Sequence, residues 1–212
     1  MVLCFIIAYL LGAVPFGYIA GRVLKGVDIR NYGSGNVGAT NVLRTLGKVP
    51  GIVVLLLDMM KGVVAVTVVP WALLKINGGL LPISIELLKV LCGVSAVAGH
   101  IWTVFLGFKG GKGVATTVGV FFGLTWISML IAMAVFLVVV WTTRYISAGS
   151  ILLGITLLAA NLMLGYPLEY IIMSGALTLL IVYTHRSNIR RLMNGTENKL
   201  GQAAKTIKES AE

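Results

Sequence analysis

The sequence predicts an all-α integral membrane protein with about seven transmembrane helices, the N-terminus outside, the C-terminus cytosolic, and helices four and five short. Three observations carry this reading. Of the 212 residues, 58% are hydrophobic and only 11% charged, with a mean hydropathy of +0.98, whereas soluble domains carry about 25% charged residues. The apolar residues form continuous runs rather than a period-two alternation, which selects helices over a barrel. Lysine and arginine are also unevenly placed. Arg22, Lys25, Arg30, Arg44, Lys48, Lys109, Lys112, Arg144, Arg186, Arg190 and Arg191 fall to one side of the runs, and Lys75 and Lys89 to the other. Positive charge marks the cytosolic side, which sets the orientation. The net charge of +10 is explained by this orientation and by bound anions, so no nucleic-acid partner is expected.

The first span covers residues 3–21. It is too long and too embedded in the pattern for a cleaved signal peptide, and it lacks a charged n-region. Pro15 inside it is tolerated if neighbouring helices satisfy the freed backbone groups. The second span, residues 51–74, contains Asp58 and Lys61. Three residues apart on a helix, they share a face and can pair. An ionisable pair inside a span is either functional or a structural pair near the membrane edge. The third span, residues 87–106, carries His100, which reads as a buried hydrogen-bonding residue. Residues 114–143 are longer than one span needs at about 1.5 Å per residue, and Gly123-Leu124-Thr125 breaks them into two short helices or else a single helix tilts. Residues 147–164 and 168–183 complete the spans, and the polar tail follows. The chain divides into one transmembrane catalytic domain, residues 1–198, and a frayed polar tail, residues 199–212. Cys4 and Cys92 lie in apolar runs, so no disulfide framework is implied.

Two loops on the positive side hold the chemistry. The first, residues 28–44, reads DIRNYGSGNVGATNVLR. It offers Ser34, Gly35, Asn36, Gly38, Thr40, Asn41 and Arg44, a composition suited to an anion: glycine admits converging backbone N–H groups, and arginine supplies a forked cation for phosphate. Residues 33–38 spell G-x-G-x-x-G, with Asp58 20 residues further on. No strand precedes them and Asp58 sits in a span, so the dinucleotide reading fails. The second loop, GFKGGKG at 107–113, offers Lys109, Gly110, Gly111, Lys112 and Gly113. It resembles a nucleotide-binding P-loop but has Leu106 and Gly113 where that motif needs glycine and Ser/Thr. Its lysine and glycines still open a helix, which is a phosphate site. Ser147 and Ser150 begin the sixth span. His185 and Asn188, three residues apart at the end of the seventh, share a helical face; His185 reads equally as a reactive group or as a helix-end residue reaching the interface. No metal site is expected, because too few Cys, His or carboxylate residues can come together, and no cofactor is called for. A G-x-S-x-G nucleophile motif is absent.

Five blocks occur in this order: GSGNVGATNVLR, DMMKG, GHIWTVFLGFKGGKGVAT, RYIS and HRSNIRRL. Together they closely resemble the bacterial membrane acyl-phosphate:glycerol-3-phosphate acyltransferases, from about the first span to about Lys199. The resemblance implies seven helices, a cytosolic active site in the bacterial inner membrane, and a role in phospholipid biosynthesis. It also implies transfer of a fatty acyl group from acyl phosphate to the 1-hydroxyl of glycerol 3-phosphate, giving 1-acylglycerol 3-phosphate. Its partners would be those two substrates, membrane lipid and the enzyme that makes acyl phosphate. The residues matching the family's functional positions are Ser34, Arg44, Lys112, His185 and Asn188. The residues themselves fit such a reaction. Both substrates carry phosphate, and an acyl phosphate has a good leaving group, so orientation and charge stabilisation suffice. Neither His100, with Phe105 five residues on, nor His185, with Arg190, forms the H-x-x-x-x-D dyad of thioester-using acyltransferases. A transporter of a phosphorylated solute would instead need polar groups near the midplane, reachable from both sides; a scaffold would not need these phosphate-type clusters.

Overall fold

Continuous apolar runs in a medium without water leave the backbone only itself to bond with, and every described regular element is helical. The structure, a computed structural model, describes residues 1–202; the remainder of the predicted tail lies outside the described residues. Ten α-helices follow in order: α1 Val2–Ala13, α2 Phe16–Lys25, α3 Ala39–Leu46, α4 Lys48–Ile76, α5 Ile85–Ile101, α6 Val114–Leu124, α7 Trp126–Thr143, α8 Ile146–Met163, α9 Leu168–Thr184 and α10 Arg186–Met193. Five segments are long and apolar enough to cross a bilayer: Val2–Lys25, Lys48–Ile76, Ile85–Leu106, Trp126–Thr143 and Ile146–Met163. A sixth is formed if α9 and α10, bent by 59° at His185, are one span.

Pro15 breaks the first span into α1 and α2, and the carbonyls freed there find partners on other helices. Thr103 donates to the Ala13 carbonyl at 2.6 Å, and Lys61 to that of Val14 at 3.2 Å. The break at the end of α6 falls at Thr125, within the predicted triplet's last residue. The fourth apolar helix, α6, is short at 11 residues. The fifth, α7, is not: its 18 residues equal those of α8, because the break falls early enough in the run to leave α7 a full span of about 27 Å. Leu200 is not frayed either. Its N–H donates to the Arg144 carbonyl at 2.7 Å, and its own carbonyl accepts from the Arg144 guanidinium.

The long helix α4 is the axis of the packing. It lies against α1, α3, α5 and α6, while α7, α8 and α9 pack in sequence beside them. Lipid offers no hydrophobic drive between helices, so close backbone approach at small residues must hold them. Two crossings use reciprocal glycines. A Cβ on Gly12 of α1 would meet the Ala96 carbonyl of α5, and one on Gly99 of α5 the Tyr9 carbonyl of α1. Likewise Gly62 of α4 faces Thr116 of α6, and Gly119 of α6 faces Met59 of α4. These contacts set the spacing at which α4, α5 and α6 bring their chemistry together.

Gly119→Ala should therefore cost about 1–3 kcal/mol through overpacking, read as a lower unfolding temperature in detergent. Gly175→Ala, whose Cβ would meet only Leu158 side-chain carbons at 3.8 Å or more, should be close to neutral. Equal stability of the two variants would remove the close-approach account.

Candidate active site

The polar loops fold against the ends of the helices at the positively charged end of the bundle and line one cavity of about 410 Å³. The first loop is built around Asn41, buried in the first turns of α3. Its amide nitrogen reaches the carbonyls of Ile29, Tyr32 and Asn36 at 2.8–3.0 Å, and its oxygen accepts from the Ser34 N–H at 3.0 Å. One buried side chain thus replaces the regular structure that a glycine-rich loop lacks. Asn36 caps the Gly38 N–H at 2.8 Å and donates to the Gly110 carbonyl at 3.4 Å, joining the two loops. These bonds leave Ser34 on the cavity wall, with Asn36, Gly38, Thr40, Asn41 and Arg44. Arg44 donates to the Asn198 carbonyl at 3.1 Å, while its Nε is buried without a partner.

Across the cavity, Lys112 stands at the opening of α6. Its carbonyl accepts from the Thr184 hydroxyl at 3.2 Å, which ties it to the end of α9, and its ammonium donates to the Asn188 side-chain oxygen. Asn188 passes the link on, donating to Glu197 Oε1 at 2.7 Å. Glu197 also accepts from the Ser147 hydroxyl at 2.8 Å and from Arg191 Nε at 2.7 Å. Burial pushes the carboxyl up, but the bonds from Asn188, Arg191 and Ser147 together outweigh it and hold the group below the usual range. His185, at the bend between α9 and α10, is buried, with Nδ1 2.8 Å from the Ile181 carbonyl. A carbonyl only accepts, so Nδ1 carries the proton and Nε2 keeps its lone pair. Burial, reinforced by the Lys112 charge, lowers its pKa to about 4. Burial also lowers Lys112 to about 8, with Glu197 pulling the other way.

Of the residues singled out in the sequence, Ser34, Arg44, Lys112, His185, Asn188, Asn36, Gly38, Thr40, Asn41, Gly113, Ser147 and Ser150 line the cavity. Gly35, Lys109, Gly110 and Gly111 do not. Lys109 is exposed, and the N–H groups of Gly110 and Gly111 bond the carbonyls of Ile101 and His100 at 2.9 and 3.0 Å. A cradle made of those two amides is thereby corrected: they are already used, whereas the amides opening α6 carry no intrahelical bond. Ser150 turns back to the Ile146 carbonyl at 2.8 Å. Sequence reasoning missed Glu197. The signal was there: a lone carboxylate in HRSNIRRLMNGTENKL, where a basic surround needs a counter-charge. Asp58 and His100, read separately in the sequence, meet at the cavity floor, with His100 Nδ1 3.5 Å from Asp58 Oδ1 and Lys61 Nζ 2.6 Å from that same oxygen.

The deeper wall is apolar. Ile52, Leu55, Met133, Phe136, Leu137 and Val140 supply it from α4 and α7, and Ile52, Leu55 and Leu137 are also exposed on the outer surface of the bundle. The cavity therefore joins a cationic head at Arg44 and Lys112 to an apolar wall between α4 and α7, a layout suited to an amphiphile.

A lysine lowered to about 8 is neutral above that pH, so anion binding should weaken as pH rises through it. Inorganic phosphate binding by the purified protein should fall about tenfold between pH 7 and 10, the loss of one charge-assisted bond. Lys112→Met should flatten that profile; a step of unchanged size in this variant would assign it to another group.

Comparison with known proteins gives the family of the chain. The family model described as glycerol-3-phosphate acyltransferase matches residues 2–195. Curated relatives named glycerol-3-phosphate acyltransferase include those of Parasynechococcus marenigrum, 46% identical over 93% of this chain and 89% of the relative, and of Halalkalibacterium halodurans, 44% identical over 94% and 95%. Two crystal structures of an integral membrane glycerol 3-phosphate acyltransferase superpose over 94% of this chain and 95% of theirs. The glycerol 3-phosphate form gives a TM-score of 0.83 at 40% identity, and the lysophosphatidic acid form 0.81 at 39%. The chain belongs to the glycerol-3-phosphate acyltransferase family of integral membrane proteins.

Proposed function

We propose that this acyltransferase takes its acyl group from acyl phosphate and delivers it to the 1-hydroxyl of glycerol 3-phosphate. The observation that carries the reading is the meeting of two cations, Arg44 and Lys112, with a neutral imidazole and an amide at the head of a cavity whose remaining wall is apolar. Such a site suits two phosphates and one acyl chain. The glycerol 3-phosphate and lysophosphatidic acid forms of the related structures bring the acceptor and product to the same reading.

In this mechanism Arg44 and Ser34 hold the phosphate of glycerol 3-phosphate, and Lys112 with the opening amides of α6 holds that of the donor. The acceptor oxygen attacks the acyl carbonyl carbon, the carbon–oxygen bond to phosphate breaks, and inorganic phosphate leaves. Lys112 and the helix opening stabilise the charge that develops. His185 Nε2 accepts a hydrogen bond from a glycerol hydroxyl, but with a pKa of about 4 it is a weak base. A substrate phosphate oxygen, with a second pKa of about 6, is the better proton acceptor. Asn188 is set between Lys112 and Glu197, so it orients the lysine as well as the substrate. The purified protein should use acyl phosphate and show essentially no turnover with acyl-CoA or acyl carrier protein; comparable use of a thioester would overturn the donor assignment. Arg44→Ala and Lys112→Ala should each cost roughly 10- to 150-fold, and full activity in both folded variants would remove the phosphate assignment.

The topology belongs to the same proposal. The chain crosses the inner membrane seven times, through α1 with α2, α4, α5, α6, α7, α8 and α9, with the cavity on the cytosolic side. Residues 1–198 act as one catalytic unit. The support is the placement of the arginines and lysines around the cavity end and of Lys75 at the other. Cysteines at Asn36, Gly110 and Asn194, with Cys4 and Cys92 replaced, should resist an impermeant thiol reagent in intact cells, while cysteines at Asn77 and Gly165 react. Labelling at position 36 from outside would reverse the orientation.

A further inference from the structure

Gly110 and Gly111 do not face the cavity, yet both are held at distances only glycine permits. A Cβ on Gly110 would run into the carbonyls of His100 and Ile101, and one on Gly111 into Nε2 of the His100 ring. Their amides bond those same two carbonyls. The loop therefore rests on the last turn of α5, and the residue beneath it is His100. That ring is itself braced. Its Nδ1 faces Asp58, Asp58 pairs with Lys61, and Lys61 reaches the Val14 carbonyl at the α1–α2 break. All three side chains are buried within membrane helices, where such groups are costly and are retained for a purpose.

We propose that His100, braced by Asp58, is a positioning residue: it is the seat for Gly111 and so sets where the Lys112 ammonium stands in the cavity. The glycine pair is in the loop to fit this seat, not to let a phosphate approach the backbone. The inference rests on Lys112 serving the donor phosphate, as proposed above. It makes a sharp distinction. If Gly111 serves substrate approach, adding a methyl group there is harmful whatever lies behind it. If Gly111 serves the seat, the harm disappears once the imidazole is removed.

The test uses full-length wild type, Gly111→Ala, His100→Ala, the double variant and His100→Gln, each purified in detergent and assayed with acyl phosphate and glycerol 3-phosphate. Displacing a catalytic group by about 1 Å can cost about 100-fold, and Gly111→Ala should lose that much kcat/KM. In the His100→Ala background the same change should cost about twofold or less, a coupling expected of residues in contact. His100→Ala alone should raise the KM for acyl phosphate about tenfold and lower kcat as well, because Lys112 both holds that phosphate and stabilises the developing charge, while the KM for glycerol 3-phosphate moves less than about threefold. His100→Gln, which still presents an amide to Asp58, should recover part of it. A 100-fold loss from Gly111→Ala in both backgrounds would overturn the proposal, as would unchanged KM in His100→Ala. If Gly111→Ala fails to fold while the double variant folds, the seat is supported; if neither folds, the KM of His100→Ala decides. Should wild type not use acyl phosphate, the donor assignment fails. The cycle of unfolding temperatures over wild type, the two single alanine variants and the double variant then still tests the seat, and additive shifts would reject it.

Discussion

Glu197 gathers in one carboxylate the hydroxyl of Ser147 on α8, the amide of Asn188 and the guanidinium of Arg191 on α10. The cavity depends on this gathering for an electrostatic reason. Burial lowers the pKa of both Lys112 and Arg44, the Arg191 guanidinium adds to this at both and Arg44 adds to it at Lys112, and Glu197 opposes the effect at each. A cavity meant for phosphate must be positive, but cations packed around an empty, partly buried space repel one another and lose hydration. One fixed carboxylate beside them holds the arrangement together and still leaves a positive balance for an anion. Asn188 mediates: its oxygen takes the lysine and its nitrogen gives to the carboxylate, so its amide has one orientation.

The same carboxylate also positions the segment after α10. Asn198 accepts from Arg44 and Leu200 pairs with Arg144, so residues 197–200 lie back across α3, α7 and α8. Leu200 reaches the cavity wall. The polar end of the cavity is thus bounded by chain from both halves of the protein: the Asn41-organised loop before α3 and the Glu197-anchored segment after α10. Apart from one 3-10 turn at Ile29–Asn31, neither segment has regular structure of its own, and each is fixed by one buried polar side chain that satisfies several backbone or side-chain groups at once.

Beneath these loops the bundle obeys the bilayer. Where a helix breaks, its freed carbonyls are met by Thr103 and Lys61, because no water is there to meet them. Where helices cross, glycine lets backbone touch backbone at α1–α5 and α4–α6. That spacing brings Asp58 of α4 to His100 of α5, under the loop that opens α6. The buried charges and the glycines therefore belong to one arrangement, in which the close crossings place the polar residues and the polar residues support the loop.

Much of this was legible in the sequence because membrane helices declare themselves locally. Hydropathy over one run is enough to identify a span, the Gly123-Leu124-Thr125 triplet marks one break locally, and a residue pair such as Asp58 and Lys61 meets within one helix by periodicity alone. Pro15, read as tolerated inside one span, instead divides it into α1 and α2. The polar loops and helix ends likewise exposed a broader set of candidates, from which the family resemblance picked out Ser34, Arg44, Lys112, His185 and Asn188. What the sequence could not decide were the relations between separate segments. It gave Gly110 and Gly111 to a phosphate, whereas the fold gives their amides to α5; it passed over Glu197; and it left His100 apart from Asp58. Local pattern records what one segment buries or exposes. Which carbonyl occupies an amide, and which carboxylate balances a lysine, depends on distances across the bundle, and those are set only when the glycine crossings close.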